Sequence, residues 1–188
     1  MSFDNYMALI TELYEQKKTT GDNQSEAMLG YAKINFHRMK RLIKTAQLND
    51  DLKQVLFSNQ TKMIWLVLTE GWCGDAAQNI PVFNAISKAF PNIELKLILR
   101  DENLEVMDQF LTNGGRSIPK LIALNLETLE TIGTWGPRPA TAQKMVNDFK
   151  TIPNGDYSAF VKDVQLWYAK DKTNEVQNEI KVLLKEWN

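Results

Sequence analysis

Residues 70–81, EGWCGDAAQNIP, decide the fold, because they join two segments with different hydrophobic patterns. Before them, residues 63–68 (MIWLVL) form a continuous apolar run of strand length, which is typical of a strand buried on both faces. After them, apolar residues recur at helical spacing at Ala76, Ile80, Phe83, Ile86 and Phe90. The stretch is therefore a strand-to-helix loop, and it carries the only cysteine of the chain, Cys73.

The composition of the chain predicts a single globular domain. It has 188 residues, of which 44% are hydrophobic and 24% are charged. A net charge of -1 gives no general attraction to nucleic acid or to an anionic membrane. The amino terminus lacks the pattern of a signal peptide, and the longest apolar run is too short to span a bilayer. We therefore expect a soluble cytoplasmic protein without nucleic-acid or membrane partners.

Working outward from the loop, the hydrophobic periodicity predicts an alternation of helices and strands. Helices are predicted at residues 3–17, 25–46, 50–57, 76–90, 102–113 and 139–150, with one or two more after residue 157. Strands are predicted at residues 63–68, 93–99, 120–125 and 128–135. A right-handed crossover makes the first two strands parallel neighbours, and the last two form a hairpin that adds an antiparallel edge.

Several landmarks in this order resemble the thioredoxin superfamily. The residues Trp-Cys-Gly precede a helix that contains a proline eight positions after the cysteine, a proline precedes the hairpin in RSIPK, and a glycine follows the last strand. The matching residues are Trp72, Cys73, Gly74, Pro81, Pro119 and Gly136. Over its whole length the chain resembles a bacterial thioredoxin-like group with a single-cysteine Trp-Cys-Gly-Asp-Ala site, in the motifs KTTG, WCGDAAQNIP, RDEN, GGRSIPKLI and WGPRP.

The resemblance implies an α/β, thioredoxin-like fold with a central mixed sheet of about four strands and flanking helices. We expect a thioredoxin-like core at residues 62–150, an N-terminal helical extension at 1–61, and a C-terminal helical extension at 151–188 that packs on the core within one structural domain. The peptide bond between Ile118 and Pro119 is expected to be cis, and Gly136 to complete a substrate groove.

Two departures from the thioredoxin pattern affect the chemistry. Ala76 stands where thioredoxins carry the second cysteine, and Val67 stands where they bury a carboxylate. A dithiol cycle through an internal disulfide is therefore excluded, because a single sulfur cannot resolve a mixed disulfide.

The charges around the cysteine oppose one another. Cys73 at a helix N-terminus gains about 0.3–1 kcal/mol for its anion, whereas Asp75 at about 6 Å opposes that anion by about 2–3 kcal/mol at an effective dielectric constant near 20. A reactive thiolate with a pKa below about 8.5 therefore needs help from a cation. Arg100, at the end of the second strand, can pair with Asp75 or bind an anionic ligand, and Arg138 is the second candidate.

The candidate catalytic residues are Cys73, Asp75 and Arg100. The candidate substrate-binding residues are Trp72, Gly74, Asp101, Ile118, Pro119, Trp135, Gly136 and Arg138. Each also has a structural interpretation: Asp75 as a helix-terminus residue, Arg100 with Asp101 as an ion pair and helix cap, and the two tryptophans as core or groove wall. No cofactor and no metal site is predicted, because His37 is the only histidine.

Two functions remain open at this point. In the first, the protein is a monothiol redox protein whose Cys73 attacks a disulfide or peroxide, and an external thiol reductant resolves the adduct. In the second, it is a non-catalytic module that binds a peptide or protein partner in the groove at Pro119. Iron–sulfur handling of the monothiol glutaredoxin type lacks support, since Gly-Asp-Ala follows the cysteine instead of Gly-Phe-Ser.

Overall fold

Four strands form one mixed sheet in the computed structural model, which describes residues 1–187. They are β1 (Met63–Thr69), β2 (Ile93–Leu99), β3 (Lys120–Asn125) and β4 (Thr131–Trp135). The order across the sheet is β2-β1-β3-β4, with β1 parallel to β2 and antiparallel to β3, and β3 antiparallel to β4. The α/β thioredoxin-like fold predicted from the sequence is confirmed.

Eight helices surround the sheet in the part of the chain that the structure describes. They are α1 (Phe3–Glu15), α2 (Glu26–Thr45), α3 (Asp50–Ser58), α4 (Gly74–Ala89), α5 (Leu104–Met107), α6 (Ala140–Lys150), α7 (Tyr157–Asp171) and α8 (Asn174–Glu186). Polar side chains cap several of them, as when Asn49 accepts a hydrogen bond from the Leu52 amide at 2.8 Å. In α4 the capping position belongs to Cys73.

The helix predicted at residues 102–113 is wrong in length, because only the single turn of α5 forms. Local bonds form after that turn in place of the rest of the helix. Arg116 binds both carboxylate oxygens of Asp108 at 2.6 and 2.8 Å, and Thr112 pairs with Gly115 in a short antiparallel bridge. These bonds turn the chain back toward β3, so the helical spacing of its apolar residues is not realised.

The helices at both ends of the chain share the core of the sheet. Phe3 and Tyr6 of α1 and Ile180 of α8 lie in the same buried cluster as β1. Trp187 packs edge-on against Trp65, with 6.4 Å between ring centroids. The boundaries predicted at residues 61/62 and 150/151 stay a prediction. No helix within residues 1–187 is long and apolar enough to cross a membrane.

Candidate functional site

The loop between β1 and α4 is fixed in place by the N-terminal helical region. The Gly71 amide donates to the hydroxyl of Thr20 at 2.9 Å, and the side-chain amide of Asn35 donates to the Gly71 carbonyl at 3.2 Å. A Cβ added at Gly71 would lie 2.9 Å from the terminal methyl group of Ile10 of α1, so that side chain would have to shift. The loop therefore presents Cys73 in one orientation.

The Cys73 thiol is buried and uses both of its hydrogen-bonding capacities within the chain. The residue is 7% exposed. Its Sγ accepts a hydrogen bond from the Ala76 amide at 3.4 Å and donates one to the Ile118 carbonyl at 3.3 Å. The thiol thus caps α4 and links the start of that helix to the loop that contains Pro119.

Burial raises the pKa of the Cys73 thiol to about 12, and the negative charge of Asp75 acts in the same direction. The amides of Ala76 and Asp75 and the charge of Arg138 lower it, but by less. The helix N-terminus is therefore too weak to offset desolvation, and at neutral pH the folded protein holds a neutral thiol.

Asp75 is neutralised by Arg138 and not by Arg100. The Arg138 guanidinium donates to Asp75 Oδ2 through Nε at 2.8 Å and lies 2.7 Å from it through a second nitrogen. Tyr168 of α7 donates its hydroxyl to Asp75 Oδ1 at 2.8 Å. The pairing of Arg100 with Asp75 that the sequence allowed is wrong, because Arg100 pairs with Asp101 instead.

Arg100 belongs to a second cluster beside Trp72. Its Nε donates to Asp101 Oδ1 at 2.8 Å, and its guanidinium carbon lies 4.9 Å from the centre of the Trp72 ring. The Asp101 amide in turn donates to Glu70 Oε1 at 2.9 Å. The ion pair between Arg100 and Asp101 that the structural interpretation predicted is present. Asp101 is not a helix cap, since Asn103 occupies the capping position of α5.

Pro119 and Gly136 lie against each other opposite Cys73. The Ile118–Pro119 peptide bond is cis, and so is the bond between Gly136 and Pro137. Gly136 has a φ of +117°, and a Cβ there would collide with the Pro119 carbonyl oxygen. Glycine is therefore required at this position for two independent reasons.

The two tryptophans have different surroundings. Trp135 is buried, its indole nitrogen donates to Glu179 of α8 at 2.6 Å, and its ring packs edge-on against Phe83. Trp72 is partly exposed beneath Arg100. Trp135 is therefore held by the core, whereas Trp72 lies at the surface of the loop.

Helix α7 covers the start of α4. A Cβ added at Gly74 would lie 3.1 Å from the side-chain amide of Gln165, and Gln165 accepts a hydrogen bond from Gln78 at 2.7 Å. Together with the bond from Tyr168 to Asp75, these contacts place α7 over the side of the loop that carries Cys73.

Two polar groups of the site were missed in the sequence. Glu70 is only 1% exposed; its Oε2 has no hydrogen-bond partner of ordinary geometry, and burial raises its pKa while Thr20 and the Asp101 amide oppose this. The position of Glu70 at the end of a buried strand was a usable signal. The sequence contains no comparable signal for Tyr168, because this residue lies 93 residues from Asp75. Within residues 1–187, no cluster of three or more histidine, cysteine or acidic side chains is placed to hold a metal ion.

Comparison with known proteins agrees with the fold. The thioredoxin family model matches residues 21–150. A protein of unknown function from Pseudomonas aeruginosa has 18% identity and a TM-score of 0.59, over 98% of each chain. An HIV epitope-scaffold structure has 17% identity and the same TM-score and coverage. None of the curated proteins matches the chain.

The fold and the Cys73–Pro119 arrangement define a thioredoxin-like protein. The chain belongs to the thioredoxin family. The likeness to the two solved structures concerns the fold alone.

Proposed function

We propose that the chain is a non-catalytic thioredoxin-like module that binds a peptide segment of a partner protein beside Pro119 and Gly136. The observation that carries this proposal is the state of the Cys73 thiol, which is buried, neutral and hydrogen-bonded on both sides. A thiol in this state caps a helix as a serine hydroxyl would. A cytoplasmic location remains part of the proposal.

A cleft beside the same loop supports a binding role that does not need the sulfur. It has a volume of about 610 Å³ and is lined by Trp135, Gly136, Arg138, Glu179 and Val182 among others. Clefts of this size with apolar walls and a few polar groups are typical of binding sites. Cys73 is not among the lining residues, so a peptide can occupy the cleft without meeting the thiol.

Selection from a random peptide library displayed on phage tests this proposal. Peptides selected on the wild-type protein are expected to lose at least about tenfold in affinity for Gly136→Ala, because the added Cβ pushes against the Pro119 carbonyl. Gly114→Ala is the matched control, since Gly114 also has positive φ but an added Cβ there meets no atom within 4 Å. Cys73→Ser should bind like the wild type. Absence of any selectable peptide, or loss of binding in Cys73→Ser, would contradict the proposal.

A second function, monothiol redox chemistry, is favoured by the charge of Arg138. This guanidinium lowers the pKa of Cys73 and neutralises Asp75. Once the thiol is uncovered and loses its proton, the thiolate attacks a substrate disulfide, one substrate thiolate leaves, and a mixed disulfide remains. An external thiol then attacks this adduct and regenerates Cys73.

Disulfide-reduction assays separate the two functions. With thioredoxin reductase as the sole electron source we expect no turnover, because Ala76 supplies no resolving thiol. With excess glutathione, a redox protein turns over repeatedly and a binding module does not. Repeated turnover that disappears in Cys73→Ser would replace the binding proposal by the redox one.

A further inference from the structure

A second cleft, of about 520 Å³, lies between α1 and α2, and neither Cys73 nor Pro119 lines it. Apolar side chains of both helices line it: Ile10, Leu13, Tyr14, Leu29 and Ala32. The Tyr14 ring stacks on Phe36 with 4.3 Å between centroids. The volume and the apolar walls are typical of sites for small organic molecules.

A buried hydroxyl without a partner lies in the wall of this cleft. Thr19 is 4% exposed and lines the cleft, and its Oγ1 makes no hydrogen bond. The backbone of Thr19 is satisfied, since its amide donates to Gln24 Oε1 at 3.1 Å and its carbonyl accepts from Gln24 Nε2 at 2.9 Å. Buried polar groups in proteins nearly always have a partner. The Thr19 hydroxyl is therefore an unsatisfied, enclosed donor in a residue of the cleft wall.

The charges beside Thr19 indicate the sign of that ligand. Lys17 and Lys18 directly precede Thr19 and line the cleft with it, and Lys33 lines it from α2. None of the three lysines forms a salt bridge with any residue in the range 1–187. The cleft is also lined by Glu15 and Glu26, which leaves an excess of one positive charge. An anionic group is favoured at the end formed by residues 17–19.

We propose that the cleft between α1 and α2 binds an amphipathic carboxylate. The apolar part lies between Ile10, Leu13 and Leu29, and the carboxylate accepts a hydrogen bond from Thr19 beside Lys17 and Lys18. This site is independent of the peptide-binding function proposed above, since the two clefts share no lining residue. Its floor includes Gly71, two residues before Cys73.

Gly30 offers a way to close the cleft without damaging the fold. It lies in α2, lines the cleft, and an added Cβ there meets no atom within 4 Å. Replacing an exposed helical glycine also favours the helix. Gly30→Leu therefore fills the cleft, and Gly30→Ala is its matched control.

Calorimetric titration with decanoate tests the proposal. We expect saturable binding that weakens at least about tenfold in Gly30→Leu and stays within about twofold in Gly30→Ala. Thr19→Val should weaken binding by about two- to tenfold, the value of one hydrogen bond. It should also leave the melting temperature of the free protein unchanged or raised, because the hydroxyl it removes has no partner there. Decyltrimethylammonium, with the same tail and a cationic head, should bind at least about tenfold more weakly.

Three results would overturn the proposal. They are the absence of decanoate binding by a folded wild-type protein, equal binding by wild type and Gly30→Leu, and equal binding of the anionic and cationic probes. The melting temperature of each variant, measured without ligand, verifies that it folds.

Discussion

Alkylation of Cys73 should be slow in the native protein and should depend on Asp75 and Arg138 but not on Arg100. The pKa of the thiol is raised from 9.0 to about 12. Since each pKa unit changes the thiolate population tenfold, the folded protein holds about a thousandfold less thiolate at neutral pH than an exposed cysteine. Only the thiolate reacts with an alkylating reagent, so the rate should fall by at least that factor.

The charged neighbours of the thiol change this rate in opposite directions. Asp75→Asn removes the second-largest cause of the raised pKa and leaves Arg138 free to favour the thiolate. A charge at about 6 Å contributes about 2–3 kcal/mol at an effective dielectric constant near 20, or about two pKa units. We therefore expect alkylation up to about a hundredfold faster in Asp75→Asn and slower in Arg138→Gln. Arg100→Gln is the control, because its guanidinium pairs with Asp101 and stacks on Trp72.

The assay is the rate of iodoacetamide modification as a function of pH, followed by mass spectrometry. Tyr168→Phe distinguishes an electrostatic effect from movement of α7 away from the loop, because it removes the hydrogen bond to Asp75 without changing the charge beside the thiol. Tyr168→Phe should raise the alkylation rate and leave the apparent pKa of Cys73 unchanged, whereas Asp75→Asn should lower that pKa. An apparent pKa below 9.0 in the wild type, or the same pH profile in wild type and Asp75→Asn, would refute the reasoning.

Three further predictions concern stability. The pKa of Cys73 is raised from 9.0 to about 12, so the folded chain holds a proton that the unfolded chain loses above pH 9.0. The free energy of unfolding should therefore fall by up to about 4 kcal/mol as the pH rises to 12. Chemical denaturation should show this fall, and the fall should be smaller in Cys73→Ser. Gly133→Ala should destabilise by about 1–3 kcal/mol, because its Cβ collides with the Trp187 indole; urea denaturation measures this, and an unchanged midpoint would contradict it. Glu179→Ala should cost about 1–3 kcal/mol, since it leaves the Trp135 indole and the Ala140 amide without their acceptor; a change below about 0.5 kcal/mol would count against that role.

The order of elements was readable in the sequence because hydrophobic periodicity is a local property. The continuous apolar run of β1, the helical spacing after Ala76 and the hairpin at residues 120–135 each report the burial of one segment. The placement of Pro119 and Gly136 opposite Cys73 was expected only from the resemblance to the thioredoxin superfamily. Sequence patterns therefore identified the fold and the loops that meet at the site.

The partners and protonation of the site depended on the tertiary structure. In the sequence Arg100 was the first candidate for the partner of Asp75 and Arg138 the second, whereas in the folded chain Arg138 and Tyr168 of α7 bind Asp75. The pKa of Cys73 is governed first by desolvation, which depends on every element packed around the sulfur and not on its helix alone. Local periodicity states which residues are buried, whereas ion pairing and desolvation are set by neighbours many residues away in the chain.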